Sequence, residues 1–177
     1  MRQRALDALL TLLGTRGIEH ITIADVAKEA GMSRVTLYSR WPTRQALVIE
    51  AFNLLSAAPP GYDDNTSARE MFDRVFARVT DPAGRHQLRQ LLADLVAAAG
   101  HDTDARASLD RRQALWADYV RELIERGKKT GEVPADRDTD RALAVVMGVA
   151  TTEHLMLGDT EAAAELAWSL LTDPHPY

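Results

Sequence analysis

Leu6, Leu9, Leu10 and Leu13 recur at the i, i+3, i+4, i+7 spacing that lays one apolar stripe along a helix, and Gly14 and Gly17 bring that helix to an end. The stretch Ile18-Glu19-His20-Ile21-Thr22-Ile23 alternates weakly in the manner of a strand. No second β-like run lies nearby to pair with it, so it reads as a connector. Thr22 followed three positions later by Asp25 has the pattern of a capping box, with the carboxylate at the positive end of the helix dipole. A second helix is expected over 23–30, stopped by Gly31. Ser33 is a natural N-cap for a third, short helix over 34–41. Pro42 blocks its continuation, and Thr43 caps a fourth that carries Leu47, Val48, Ala51, Phe52, Leu54 and Leu55. That helix dissolves at Ala58-Pro59-Pro60-Gly61, the expected boundary loop.

Further on, Ser67 caps a helix running to about 80, Pro82 to Gly84 turn the chain, and residues 86–99 form another helix around Leu88, Leu91, Leu92 and Leu95. A long helix should start near Thr103 and persist through Trp116, Tyr119, Val120, Leu123 and Ile124 to Gly131, with Pro134 marking the next loop. The last two helices, over 138–157 and 160–171, carry Ala, Val and Leu on more than one face, as helices buried on two sides do. The pattern predicts an all-α chain of about nine helices. Residues 1–47 would form a three-helix helix-turn-helix domain, and 48–177 a helical bundle.

Composition narrows the chemistry. With 46% hydrophobic residues in 177, the chain can bury one good core, or a small module and a larger one. The absence of cysteine removes disulfides, thiolate metal sites and cysteine nucleophiles. No secretory signal pattern and no apolar run of about 18 residues is present, so a cytoplasmic protein without a membrane partner is expected. The net charge of -5 argues against a polyanionic partner until it is divided along the chain. Residues 1–50 hold seven Lys/Arg against five acids, whereas the other 127 residues sum to -7. A small cationic module on an acidic body is a distribution that suits nucleic acid.

The segment from Thr22 to Leu47 supplies that module. It has a capped helix, a tight glycine turn and a second helix opening with polar residues, the logic of a helix-turn-helix. Val26, Ala27, Ala30, Met32 and Leu37 would pack the two helices together, leaving Arg34, Thr36, Tyr38 and Arg40 outside. In such motifs the second helix enters the major groove by its N-terminal residues. Trp41 belongs on the inner face, sealing the third helix against the first and fourth.

Thr22, Val26-Ala27, Ala30-Gly31-Met32-Ser33, Thr36-Leu37-Tyr38, Trp41, Arg44 and Leu47 closely resemble, in register, the N-terminal signature of the TetR family. That resemblance implies a ligand-responsive transcriptional regulator, most often a repressor, that binds palindromic double-stranded operator DNA as a homodimer and leaves it on binding a small-molecule effector. It implies DNA contacts from Arg34, Val35 and Thr36 to bases or adjoining phosphates, a phosphate contact from the Tyr38 hydroxyl, and a phosphate clamp from Arg44 at the start of the fourth helix. Thr22, Lys28, Ser33, Arg40 and Thr43 complete the expected DNA-facing set. Ala24 stands where some members carry a base-reading polar residue, and Val35 is placed to touch a thymine methyl. Arg2 and Arg4 are candidates for a flanking phosphate or the minor groove.

The resemblance also implies an effector cavity in the C-terminal bundle, for which Phe72, Phe76, Leu92, Leu95, Trp116, Tyr119, Met147 and Met156 are candidates, although aromatic and Met residues at helical spacing also simply fill cores. The last two helices would pair with their symmetry mates through Ala142, Val145, Val149, Ala163, Leu166 and Leu170 or their neighbours. No metal or cofactor is expected. Asp136-Arg-Asp138-Thr-Asp140 imitates the start of a calcium loop, but Arg141 and Met147 stand where Gly and Glu are required. The five histidines do not cluster, and no phosphate loop or nucleophile elbow is present. An enzyme in a helical bundle is therefore disfavoured. The remaining rival is a helical small-molecule-binding protein without a specific DNA target.

Overall fold

The computed structural model describes residues 1–56, 58–76, 82–153 and 160–173, the side chains of 76, 82, 160 and 161 excepted. Its elements are α1 (Arg2–Leu13), a 3-10 turn (Ile18–His20), α2 (Ile23–Glu29), α3 (Arg34–Arg40), α4 (Arg44–Leu55), α5 (Ala68–Phe76), α6 (Pro82–Ala98), α7 (Thr103–Thr130), α8 (Thr139–Thr152) and α9 (Thr160–Thr172). Among the described residues there is no strand, so the expected all-α class holds.

The helices gather into two compact units. One takes in Met1–Ala57 and Asp81–Arg112, the other Ala58–Thr80 and Gln113–Tyr177. The unit that holds the N-terminal helices thus extends beyond residues 1–47, because all of α4, α6 and the first part of α7 belong to it. Ala5, Leu6, Ala8, Leu9, Leu12 and Leu13 of α1 are buried in it, with Leu37 and Trp41 from α3 and its end, and Leu47, Val48, Ala51 and Phe52 from α4. α6 packs on α4, on α1 and on the 3-10 turn.

α6 begins earlier than the sequence suggests. Pro82 and Gly84 lie in its first turn rather than in a loop before it. Proline fits there because the first N–H groups of a helix have no partner within it, and a φ near −65° is already helical.

In the second unit, Met71, Phe72 and Val75 of α5 meet Tyr119, Val120, Leu123 and Ile124 of α7, with Val133, Ala142, Val146, Ala167 and Leu171 completing the core. Tyr119 satisfies its buried hydroxyl by donating to the Met71 carbonyl at 3.2 Å. The start of α5 is fastened twice. Ser67 and Glu70 cap each other's backbone, and the Glu132 carboxylate accepts from Ala68 N and Arg69 N at 3.1 and 3.0 Å. Asp138, third in the run that imitates a calcium loop, caps α8 by accepting from Arg141 N at 2.9 Å, and Asp140 pairs with Arg121 at 2.8 Å. Asp138 and Asp140 thus have helix-terminal and ion-pair work, and no cluster of potential metal ligands occurs among the described residues.

Candidate nucleic-acid interface

Local chemistry fixes the pose of α2 and α3. Thr22 N donates to Asp25 Oδ2 at 2.9 Å while Asp25 N donates to Thr22 Oγ1 at 3.2 Å, the reciprocal capping box the sequence predicts. The bonds from Thr22, side chain first and backbone second, hold the Asp25 carboxyl below its ordinary value. α2 ends at Gly31, whose φ of 60° is left-handed, with Met32 N donating to Ala27 O at 2.9 Å and Gly31 N to Lys28 O at 3.2 Å. This pair of bonds is the Schellman motif, and it sets the turn into α3. Ser33 Oγ then accepts from Thr36 N at 3.1 Å, capping α3, and Thr43 Oγ1 accepts from Ala46 N at 3.1 Å, capping α4.

Leu37 and Trp41 are buried and anchor α3 from within. Its other edge is outward: Arg34, Val35, Tyr38, Ser39 and Arg40 are exposed, and Thr36 is half-buried. Val35 is 80% exposed and Tyr38 50%. Thr22, Lys28, Ser33 and Thr43 are also exposed. The expected DNA-facing residues are therefore exposed, apart from Thr36 and Arg44, which are half-buried.

The Arg44 side chain is turned into its own unit. Nε donates to Ile21 O at 3.0 Å, NH2 donates to Ile18 O at 2.8 Å, and NH2 also meets Asp94 Oδ1 of α6 at 2.8 Å. This guanidinium fastens the connector before α2 to α6. Asp94 also compensates a cation placed unfavourably at the positive end of α4. Gln90, one turn earlier on α6, accepts from Ile18 N at 3.0 Å and donates to Leu13 O at 3.0 Å, and Gln87 donates to Leu10 O at 2.8 Å.

Arg2 and Arg4 are likewise engaged. Arg4 donates to Ala30 O and Gly31 O at 3.0 and 3.2 Å, reinforcing the turn after α2. Arg2 is paired with Glu50, which also accepts from Trp41 Nε1 at 2.6 Å and lies 3.8 Å from Arg40. Burial of Glu50 opposes its ionisation, but the hydrogen bonds from Arg2 and Trp41 outweigh it, so the carboxyl lies below its ordinary value. Glu50, Gln87, Gln90 and Asp94 are residues that the sequence pattern does not single out. Gln87, Gln90 and Asp94 at i, i+3 and i+7 on one helix were the available signal.

Two family models divide the chain between them. "Bacterial regulatory proteins, tetR family" matches residues 5–51, and "Tetracyclin repressor-like, C-terminal domain" matches residues 62–173. The chain belongs to the TetR family. It is a helix-turn-helix transcriptional regulator with a ligand-binding C-terminal domain, not an enzyme. The HTH-type transcriptional regulator AqdR of Rhodococcus erythropolis is 30% identical over 148 residues, covering 82% of this chain and 69% of that protein. AlkX of Mycobacterium tuberculosis is 47% identical over 47 residues, 27% of this chain and 22% of that regulator. In fold, FadR of Bacillus subtilis, solved in complex with stearoyl-CoA, superposes with a TM-score of 0.75 at 16% identity, over 98% of both chains. Salmonella enterica GusR superposes with a TM-score of 0.67 at 18% identity, over 96% of this chain and 92% of that one. No helix of the described residues is long and apolar enough to cross a membrane.

Of the residues suggested for a TetR-type effector cavity, Phe72 and Tyr119 are buried in the second unit's core, with Trp116 and Met147 packed against it. Leu95 is buried and Leu92 half-buried in the first unit. The Phe76 side chain and Met156 lie outside the described residues. Of the six residues suggested for a TetR-type dimer face, Ala142 and Ala163 are only 5% and 8% exposed within a single chain, so their surface is already covered. Val145, Val149 and Leu170 are half-buried, and Leu166 is 56% exposed.

Proposed function

We propose that the chain is a homodimeric repressor, that two copies of α3 read a palindromic operator, and that a small-molecule effector bound by the C-terminal domain lowers operator affinity. The observation that carries this reading is α3 itself: capped by Ser33, anchored by Leu37 and Trp41, and presenting Arg34, Val35 and Tyr38 outward. A helix held that firmly by one face offers the other to a groove without reorganising. Arg34 and Val35 face base edges, the Tyr38 hydroxyl and Lys28 face phosphates, and the exposed caps Thr22, Ser33 and Thr43 border the backbone. Arg40 lies beside Glu50 at the edge of this surface. The DNA-binding role resides in residues 1–47 and the effector and pairing roles in 48–177.

The aromatic and sulfur-bearing set Phe72, Trp116, Tyr119 and Met147 favours an effector with a substantial apolar or aromatic part. The acyl-CoA held by FadR is one effector of that chemistry. An effector acts only through its differential affinity for the DNA-competent and incompetent conformations. Pairing through Val145, Val149, Leu166 and Leu170 would set the two α3 helices about 34–36 Å apart, one turn of B-DNA.

Selection of bound fragments from the parent genome tests the whole reading. The expected result is a palindromic consensus, with Arg34→Ala weakening binding to it by about 1–3 kcal/mol while leaving the melting temperature unchanged. Retention of random fragments without a consensus would replace it with a small-molecule-binding protein lacking a DNA target.

A further inference from the structure

Most outward polar groups around α3 already have partners. Ser33 Oγ caps Thr36 N and lies 2.7 Å from Thr36 Oγ1. Ser39 Oγ donates to Thr36 O at 2.9 Å. Arg40 lies between Glu50 and the Trp41 ring. On α2 the Thr22 hydroxyl donates to Asp25 at 2.6 Å, and Ala24 offers only a methyl. Two neighbours in the first turn of α3 differ. Arg34 is exposed and has no hydrogen bond or ion pair among the described residues. Val35, at 80%, is the most exposed large hydrophobic residue among them.

A β-branched residue on an exposed helix position is slightly worse for the helix than alanine and buries nothing, so the folded chain gains little from Val35. It gains when a partner covers it. The major groove carries one apolar group, the C5-methyl of thymine, and the guanine O6/N7 edge is the acceptor pair that an arginine fork matches. Consecutive Cα atoms lie about 3.8 Å apart and base pairs about 3.4 Å, so adjacent side chains reach adjoining pairs.

Resting on the reading of α3 as the groove helix, we infer that Arg34 and Val35 read a guanine and a thymine on adjoining base pairs of each half-site. This two-base step is the specificity core of the operator. Positions facing Ser33, Thr36 and Ser39 contribute less, because those hydroxyls are engaged within the helix.

The test uses the full chain and a duplex enriched from a randomised pool. The expected consensus holds adjoining guanine and thymine in each half-site. Replacing that thymine by deoxyuridine deletes only the methyl and should weaken wild-type binding about fourfold per half-site. Val35→Ala should bind the two duplexes equally. Replacing the guanine by 7-deazaguanine deletes one acceptor and should cost about tenfold, a penalty that Arg34→Ala removes. Both variants change exposed side chains, and an unchanged thermal melt separates lost readout from lost folding. Equal wild-type affinity for thymine and uracil duplexes, or a Val35→Ala variant that keeps the thymine preference, overturns the inference while specific binding stands. A pool that yields no enriched sequence overturns the operator reading, and this inference with it.

Discussion

Arg34 and Arg44 each open a helix, yet their surroundings are opposite: the first points into solvent, and the second donates to two carbonyls and a carboxylate. At only 32% side-chain exposure, the Arg44 pair with Asp94 is shielded enough to matter for stability. Arg44→Ala is expected to destabilise the chain by about 1–3 kcal/mol in chemical denaturation, because it takes the guanidinium donor from Ile21 O, Asp94 and Ile18 O, of which Ile18 O keeps only its bond from Ile21 N. Asp94→Ala should lose less, and the double variant should fall short of the sum of the two. A variant of full stability whose operator affinity merely becomes less salt-dependent would restore the phosphate clamp. Glu50 makes a second residue-scale prediction. Its carboxyl is held below the ordinary 4.5, so it ionises more readily folded than unfolded. The stabilisation is therefore present above that value and is lost as pH falls through the folded one. Melting curves followed by tryptophan fluorescence from pH 6 down to pH 3 should show wild type losing its advantage over Glu50→Gln. A constant gap across that range would mean that the Trp41 and Arg2 bonds do not depend on the charge.

At the scale of elements, what could be read from the chain is what is decided locally. The caps Thr22, Ser33 and Thr43, the stop at Gly31 and the stripe of α1 depend on residues within a turn of one another, and the structure matches them. The start of α6 is not decided locally, because Pro82 and Gly84 suit a turn while proline also suits a first helical turn. The engagement of Arg44 is not legible in the same way, because its partner on α6 lies 50 positions away. Ala142 and Ala163 were expected at a dimer face for a related reason: α8 and α9 carry small apolar residues on several faces, and only packing tells which face the chain itself covers. The turn between α2 and α3 is the element on which the recognition surface most depends. Its Gly31 has φ 60° with open space around the missing Cβ, so Gly31→Ala meets no clash and suffers only the backbone strain. A loss of about 1 kcal/mol in thermal or denaturant unfolding is expected, with a larger proportional loss in operator affinity as the pose of α3 relaxes. Unchanged unfolding would mean that the Schellman bonds and Arg4 set the turn without help from glycine.

At the scale of the whole molecule, the proposed dimer decides whether two modest half-site contacts become one specific complex. In the proposed complex each α3 would bring few side chains to the groove, so a single copy would bind weakly, and linking two copies would raise avidity by about 10²–10⁴ when both half-sites can be engaged together. Leu166 is the residue through which to test this, since at 56% exposure it has little to do within one chain. Placing a charge there leaves the fold intact but puts an unpaired carboxylate into an apolar interface, which costs far more than the lost contact. Leu166→Glu is therefore expected to sediment as a monomer at micromolar concentration with an unchanged melt of the isolated chain, and to bind a full palindrome hardly better than a single half-site. Ala163→Glu serves as the contrast, because Ala163 is buried in its own unit and a carboxylate there should lower stability before it alters association. A Leu166→Glu chain that stays dimeric would move the interface off this face of α9. One that becomes monomeric yet keeps full affinity for the palindrome would separate pairing from operator binding, and the regulator would then have to act one half-site at a time.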